Sequence, residues 1–247
     1  MKIAVISFSG NVGKTTIARH LLAPRIPGAK LVSIESINAE ETAEDVIRGR
    51  QFAALQEYLQ VADSVVVDIG ASNVEDLLTL MSRYRGSHED FDCFVVPTVP
   101  ATKQQQDTIA TLVALARLGV PRDAVRLVFN MLEDDSDLEQ AFKPLLAFLE
   151  KSPLAPPSIA CRLNFNEIFG LVNGAGSDLA SLASDTTDYK GLIAATSDSD
   201  ERLALARRLA LRRLACGVVP ALDACFAALD LRSGPARAPG RGAMSTA

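Results

Sequence analysis

The sequence predicts an α/β fold, in which a doubly wound, mostly parallel sheet is followed by a basic helical segment. Short apolar runs alternate with longer helical patterns through the first half of the chain. These runs are almost continuously hydrophobic, as in parallel strands that are buried on both faces. The composition agrees, because 48% of the residues are hydrophobic but only 5% are aromatic. A length of 247 residues suits one large domain with an appendage.

Five apolar runs are predicted strands, and helical patterns separate them. The strands cover residues 2–8, 30–36, 64–70, 92–98 and 124–130, and the helices cover 13–22, 40–61, 73–85 and 102–119. The last helix is the clearest, because Ile109, Leu112 and Leu115 form an apolar stripe that ends at Gly119. Strands that alternate with helices indicate βαβ units and therefore a parallel sheet.

The pattern is looser after residue 130. We predict a helix over 138–151, a late strand within 156–163, short helical pieces within 164–185 and an arginine-rich helix over 200–216. The final residues are rich in Gly, Pro and Arg, a composition that favours disorder. The predicted organisation is a main domain (1–195), a helical segment (196–231) and a disordered tail (232–247).

The charge is unevenly distributed along the chain. The net charge is −5, but from residue 201 onward eight arginines face three acidic residues, so this part carries +5 and the rest −10. A basic segment on an acidic body suits a polyanionic partner.

The cysteines and apolar runs indicate a reducing, aqueous compartment. Cys93, Cys161, Cys216 and Cys225 show no metal-binding spacing, and we expect reduced thiols. No apolar run reaches the roughly 18 residues of a membrane span, and the first run is too short for a signal peptide. We therefore expect a cytoplasmic protein with no transmembrane segment.

A phosphate-binding loop is predicted between the first strand and the first helix, where residues 7–16 read SFSGNVGKTT. The strict pattern GxxxxGK[ST] fails, because Phe8 stands in the place of its first glycine. The physical features remain: glycines let backbone N–H groups approach phosphate oxygens, and the helix N-terminus adds its dipole. The predicted nucleotide-binding residues are Gly10, Asn11, Val12, Gly13, Lys14, Thr15 and Thr16.

Two of these residues and one aspartate are predicted to serve the phosphates and a magnesium ion. Lys14 is placed to reach the β- and γ-phosphates, and Thr15 to ligate Mg²⁺ through its hydroxyl. Asp68 ends the apolar run SVVVD, so a parallel sheet brings it to the same edge. A carboxylate there suits the water shell of Mg²⁺, and a turn-forming aspartate is the alternative. Thr15 and Asp68 are thus the predicted metal residues.

These landmarks resemble the ParA/MinD family of ATPases, whose deviant phosphate loop reads KGGxGKT. Stretches such as SVVVDIGASNVEDLL and FDCFVVPTVPATKQQQDTIATL resemble the StbB group of plasmid-stability proteins within that family. The resemblance implies ATP or ADP and Mg²⁺ as ligands and an ATP-dependent homodimer. It also implies a role in plasmid stability, partition or conjugative transfer, with a plasmid-encoded DNA-binding partner protein.

The resemblance implies roles for two residues at strand ends. Glu35 matches an acid that orients the attacking water, so the implied catalytic residues are Lys14, Glu35 and Asp68; a solvent-facing glutamate is the alternative. Asn130 matches an asparagine that contacts adenine, and its amide can both donate and accept. A strand-end turn asparagine is the alternative there.

Three positions depart from the family pattern. Ser9 occupies the place of the signature lysine that reaches the other subunit's phosphates, Asn11 replaces a glycine, and Ile37 replaces a second acid. A serine cannot supply the missing cation, so we expect weak or partner-dependent dimerisation and slow hydrolysis. Lys103 is the proposed substitute, and a solvated lysine is the alternative.

The arginine-rich helix offers a surface for polyanions. At ~100° per residue, Arg202, Arg208, Arg212 and Arg213 fall on one broad side, whereas Arg207 points into the leucine-rich side. This segregation is too poor for an interfacial membrane helix, but it suits salt-sensitive contact with nucleic-acid phosphates. ParA relatives hold DNA non-specifically through such residues, and a solubilising helix is the alternative.

Three classes of function follow. The first is a ParA-like ATPase switch that positions or segregates plasmid DNA, with slow or partner-stimulated hydrolysis. The second is a pseudo-ATPase scaffold that recruits a DNA-binding partner without turnover. The third, a small-molecule ligase or kinase on the same fold, is disfavoured because no substrate motif accompanies the nucleotide landmarks.

Overall fold

The computed structural model describes residues 1–34, 44–133, 137–172 and 178–231. The strands of this part of the chain are β1 Lys2–Val5, β2 Lys30–Ile34, β3 Val65–Ile69, β4 Cys93–Thr98, β5 Val125–Leu132 and β6 Arg162–Asn164. Its helices are α1 Lys14–Thr16, α2 Glu44–Val61, α3 Val74–Arg83, α4 Thr102–Arg117, α5 Leu138–Ala141, α6 Lys143–Lys151, α7 Ile168–Val172, α8 Leu179–Ser184, α9 Tyr189–Ala195 and α10 Ser199–Ala228.

The six strands form one parallel sheet in the order β2-β3-β1-β4-β5-β6. The α/β fold and the predicted strands are confirmed, and the late strand β6 overlaps the end of the predicted range 156–163 and extends one residue beyond it. The connection from β1 leads to β2 on one side of β1, and the connection from β3 leads to β4 on the other side. The strand order therefore reverses between β1 and β4. In open sheets of this kind, ligands bind outside the carboxyl ends of the strands at the reversal.

Helices cover both faces of the sheet because alternate strand residues point to opposite sides. On one face Ala4, Val67 and Phe129 pack with α2, α3, α4 and α6. On the other face Ile3 and Val5 pack with the residues that follow α1 and with α10. The strands are therefore buried on both sides, which explains their nearly continuous hydrophobic sequences.

The first helix changes its winding soon after it begins. It is α-helical over Lys14–Thr16, continues as a π-helix over Ile17–Leu22 and ends in a 3₁₀ turn over Ala23–Arg25. Its buried side chains, Ile17, Leu21 and Leu22 among them, belong to the same apolar cluster as the second half of α10. The segment that opens at the phosphate loop thus packs directly on the C-terminal helix.

Helix α10 is longer than the 17 residues from 200 to 216, since it runs over Ser199–Ala228 with Pro220 inside. Asp198 caps its start by accepting hydrogen bonds from the backbone N–H groups of Asp200 and Glu201. Ala215, Val218 and Leu222 are buried against the sheet side. The length of α10 is therefore set by the packing of its second half on the sheet side rather than by the arginine pattern of its first half. No helix in the described ranges is both long and apolar enough to span a bilayer.

All four cysteines are free thiols, as predicted, and Cys93, Cys161 and Cys225 are buried. Burial raises the pKa of the Cys93 and Cys225 thiols to about 12. Both therefore remain protonated at neutral pH and act as small core residues.

Candidate phosphate-binding site

The loop between β1 and α1 turns through two residues with left-handed backbone conformations. Asn11 has φ 56° and Gly13 has φ 85°. Gly13 caps α1 without a side-chain hydrogen bond, and its carbonyl accepts the backbone N–H of Ile17 at 2.9 Å. The first turn of the helix therefore starts with N–H groups that no capping side chain covers, as an anion-binding loop requires.

Lys14 is folded back onto the loop that precedes it. Its Nζ donates to the carbonyl oxygen of Ser9 at 2.6 Å and to that of Ser7 at 3.3 Å, and the residue is only 8% exposed. Burial lowers the pKa of the Lys14 ammonium, and the nearby Asp68 carboxylate opposes that effect. The cation is held by neutral carbonyl oxygens, from which an incoming phosphate can draw it.

Thr15 and Asp68 meet at the carboxyl edge of the sheet, and their role as metal residues remains a prediction. The Thr15 hydroxyl donates to Asp68 Oδ2 at 2.6 Å. Within the described residues, the second carboxylate oxygen, Oδ1, is buried and has no hydrogen-bond partner. A buried, unsatisfied carboxylate oxygen beside a hydroxyl is an oxygen donor set that fits a hydrated Mg²⁺.

Asn130, near the end of β5, supports the phosphate loop through a hydrogen bond to its backbone. Its Nδ2 donates to the carbonyl oxygen of Val12 at 2.9 Å, and the residue is 3% exposed. A Cβ added to Gly13 would lie 2.2 Å from that nitrogen, so only glycine fits above the amide. The structure therefore gives Asn130 a loop-supporting role that the sequence did not indicate. Its adenine contact remains a prediction.

Ser9 bonds to a neighbouring helix of its own chain. Its hydroxyl donates to Asp107 Oδ2 on α4 at 2.5 Å, and the residue is buried. One turn further along α4, the hydroxyl of Thr111 accepts the backbone N–H of Phe8 at 3.1 Å. These two contacts fix the start of the loop against α4. The sequence analysis did not identify either contact.

The predicted residues differ in exposure and in whether the structure describes them. Gly10 and Thr15 are exposed, and Lys103 is exposed in the first turn of α4, as a solvated lysine would be. Glu35 and Ile37 lie outside the described residues, and so does the predicted tail 232–247. The described chain thus brings together the loop, Asp68 and Asn130.

Comparison with known proteins gives only distant structural similarity. The sequence matches no protein-family model and no curated protein. Among solved structures, apo McdA from Cyanothece has a TM-score of 0.47 at 15% identity, over 73% of this chain and 92% of that one. A variant of Cyanothece McdA in complex with ATP has a TM-score of 0.45 at 14% identity, over 90% and 96%. A chain of the MinC:MinD cell division complex from Aquifex aeolicus has a TM-score of 0.49 at 14% identity, over 84% and 94%.

Proposed function

We propose that this chain is an ATP- and Mg²⁺-dependent switch of the ParA/MinD type. The observation that carries the proposal is the Thr15–Asp68 pair, whose second carboxylate oxygen is buried and finds no partner in the described part of the chain. The pair lies beside a buried lysine whose ammonium donates to two loop carbonyl oxygens. A magnesium–triphosphate complex would give the Asp68 carboxylate a hydrated cation to bind and the Lys14 ammonium an anionic partner.

Each loop residue has a defined task in this proposal. Gly13 keeps φ at 85° and leaves the first N–H groups of α1 directed toward the phosphates. Lys14 leaves the carbonyl oxygens of Ser7 and Ser9 and pairs with phosphate oxygens. Thr15 supplies a hydroxyl ligand to the metal, and Asp68 accepts hydrogen bonds from its water shell. When bound, Mg²⁺ and ATP supply charge neutralisation and a transferable phosphoryl group.

Hydrolysis requires a group that orients water, and we propose Glu35 for that role from the family resemblance. Ser9 bonds to Asp107 within its own chain, so position 9 supplies no cation to a second subunit. Turnover is therefore expected to be slow or stimulated by a partner. This same contact favours the second candidate function, a scaffold that binds nucleotide and recruits a DNA-binding partner without turnover.

We propose that the basic face of α10 contacts DNA non-specifically and that the cargo is plasmid DNA, as the StbB resemblance implies. Arg202, Arg207, Arg208 and Arg213 are exposed. Arg212 is instead engaged within the chain, because it donates to the carbonyl oxygens of Asp185 and Thr187 at 3.2 and 2.7 Å. The proposed DNA surface therefore comprises four arginines rather than five.

Helix α10 also provides a route from the nucleotide to this surface. The Arg25 guanidinium, at the end of the segment that α1 opens, pairs with Asp223 of α10 at 2.7 Å. It also donates to the carbonyl oxygen of His20 at 2.7 Å. A movement of the segment that α1 opens would therefore be transmitted to α10 by the Arg25–Asp223 ion pair and by the shared apolar packing.

The test is calorimetric titration of the full chain with ATP in the presence and absence of Mg²⁺. Lys14→Ala serves as the binding-deficient control, and phosphate release is followed with and without DNA. Magnesium-dependent binding that Lys14→Ala abolishes supports the switch, and binding without phosphate release supports the scaffold. A folded wild-type sample that binds no ATP contradicts both.

A further inference from the structure

A cavity of about 810 Å³ lies at the β2 edge of the sheet, where β2, α2 and α3 enclose it. In the described sheet β2 is an edge strand that pairs with β3 alone. The described residues that line the cavity include no member of the phosphate loop. Its volume falls within the range of small-molecule sites, about 300–1,000 Å³. The cavity is therefore a candidate ligand site that is separate from the proposed nucleotide site.

The walls of the cavity are mostly apolar or aromatic. β2 contributes Val32 and Ile34, α2 contributes Phe52 and Tyr58, and α3 contributes Leu80. Phe52 is buried, but the other four side chains are only partly buried. Because these four face one concave space, they present apolar surface that a ligand can cover.

The polar side chain that the cavity shares with the sheet lies toward one of its ends. A helix that follows a parallel strand runs back along the sheet, so the start of α3 lies beside the carboxyl ends of the strands. Asn73 and Asp76 line the cavity there, whereas Leu80 lines it farther along the helix. Asn73 is fixed in place, because its Nδ2 donates to the Ile34 carbonyl oxygen at 3.0 Å. The cavity thus has a polar end and an apolar body.

The charge at the polar end is negative. Asp76 lines the cavity, and its described lining includes no lysine, arginine or histidine. Glu75 and Asp76 both lie in the first turn of α3, where they offset the partial positive charge of the helix N-terminus. A carboxylate has about four lone-pair sites, so Asp76 can accept from a ligand as well as from groups of the protein. This end therefore favours a cation over an anion.

We propose that the cavity binds a small amphipathic amine, whose apolar body lies between β2, α2 and α3 and whose ammonium group contacts Asp76. An ammonium carries three donors and no acceptor, which suits the Asp76 carboxylate and the amide oxygen of Asn73. The apolar body gains free energy by covering the partly buried walls. Binding requires no nucleotide, so the inference goes beyond the proposed function and does not depend on it.

The experiment titrates the full chain, without nucleotide, with three probes that share one apolar body: 4-phenylbutylamine, 4-phenylbutan-1-ol and 4-phenylbutanoate. Calorimetry at pH 7 measures each affinity. The amine should bind roughly 5-fold or more tightly than the alcohol, because its hydrogen bond to Asp76 is charge-assisted, and the carboxylate should bind most weakly. Asp76→Asn should lower the amine affinity to that of the alcohol. Glu75→Gln is the matched control, because Glu75 is adjacent and exposed but does not line the cavity, and it should change no affinity.

A second variant tests the location. Ala54 of α2 lines the cavity and is exposed, so Ala54→Trp should fill the space and abolish binding of the amine and the alcohol. Gln60→Trp is its control, because Gln60 is exposed on the same helix and lies outside the lining. Equal affinity for the three probes, amine binding retained by a folded Ala54→Trp variant, or a folded wild type that binds none of them would each overturn the inference. None of these results bears on ATP binding, so this inference and the proposed function can fail separately.

Discussion

The Thr15 hydroxyl and the Asp68 carboxylate are joined by a 2.6 Å hydrogen bond, although 53 residues separate them in the chain. The bond connects the loop after β1 to the end of β3, and these strands are direct neighbours in the sheet. Asp68 Oδ1 is buried and has no hydrogen-bond partner among the residues that the structure describes. One carboxylate oxygen of Asp68 is therefore engaged by Thr15, and the other is available to the proposed ligand.

Replacement of Asp68 by Asn should weaken ATP binding in the presence of Mg²⁺ but not in its absence. The amide keeps the size of the side chain but removes the charge that orients the metal's water shell. We expect ATP affinity in Mg²⁺ to fall by about 10–100-fold, as for other groups that act through metal-bound water. Affinity in excess chelator should change little. Calorimetric titrations under the two conditions measure both quantities.

Asp107→Asn is the control for this substitution, because Asp107 accepts from Ser9 on the other side of the loop and has no contact with Thr15 or Asp68 in the described residues. It should leave the ratio of the two affinities unchanged. An Asp68→Asn variant whose ratio equals that of the wild type would remove Asp68 from the metal site.

Nucleotide binding should be accompanied by proton uptake at alkaline pH. Burial lowers the pKa of Lys14 below the model-peptide value of 10.5. Between the lowered pKa and 10.5 the folded protein therefore binds fewer protons than the unfolded chain, and its free energy of unfolding rises with pH through that window. A bound polyphosphate favours the ammonium form and restores the missing proton. Calorimetry in two buffers with different ionisation enthalpies measures the uptake.

Lys14→Arg provides the comparison, because a guanidinium stays charged across this range. The arginine variant should bind nucleotide without buffer-dependent heat. Equal buffer dependence in the two proteins would assign the proton to another group.

Gly13→Ala should destabilise the protein, whereas Gly10→Ala should not. Gly13 has φ 85° and lies against the Asn130 amide, but a Cβ on Gly10 would meet nothing within 4 Å. The left-handed conformation alone disfavours alanine by about 1–2 kcal/mol, and the contact with Asn130 adds to this. Urea denaturation of the two variants measures the difference. Equal free energies of unfolding would mean that the loop adjusts freely.

Much of the fold was predictable because parallel strands that are buried on both faces have nearly continuous hydrophobic sequences. The predicted strands appear within a few residues of their positions, and the first loop lies where GKTT follows an apolar run. The continuation of β5 to Leu132 was not predicted, because a bulge depends on pairing with β6. The helix predicted over 200–216 continues to Ala228 with Pro220 inside, because apolar residues on both sides of the proline are buried.

The site was predictable where a residue acts through its place at a strand end, as Asp68 does. It was not predictable where a residue acts through a contact with a group far away in the sequence. The amide of Asn130 reaches the Val12 carbonyl oxygen across 118 residues, and Ser9 reaches Asp107 across 98. Spacing along the chain does not encode such contacts, which exist only once β4 and β5 are assembled beside β1.

Arg208 and Arg212 should have opposite phenotypes. Arg208 is exposed, so Arg208→Ala should reduce the salt dependence of DNA binding by about one ion per lost phosphate contact and leave stability unchanged. Arg212 bonds two carbonyls and lies 5.3 Å from the centre of the Tyr189 ring, so its replacement should destabilise the α9–α10 junction instead. Salt titrations of DNA affinity and thermal unfolding distinguish the two. Loss of stability in the Arg208 variant would argue against its assignment to the DNA surface.

Arg126 should stabilise the end of α10 far more than its exposed neighbour Arg122 does. Its Nε donates to the Leu229 carbonyl oxygen at 2.7 Å, and Nη2 donates to that of Asp230 at 3.3 Å. These charge-assisted bonds satisfy carbonyls that the helix itself leaves open. Arg126→Ala should therefore lower the free energy of unfolding by about 1.5–3 kcal/mol and speed amide exchange near the helix end.

Arg122→Ala is the control, because Arg122 forms only an exposed pair with Asp123 at 3.5 Å. Exposed pairs contribute about 0–1 kcal/mol, so this variant should unfold almost like the wild type. Since α10 also packs on the segment that α1 opens, the Arg126 variant should lose part of the coupling between ATP and DNA binding while retaining ATP affinity. Unchanged exchange and unchanged coupling in that variant would show that the end of α10 is held by apolar packing alone.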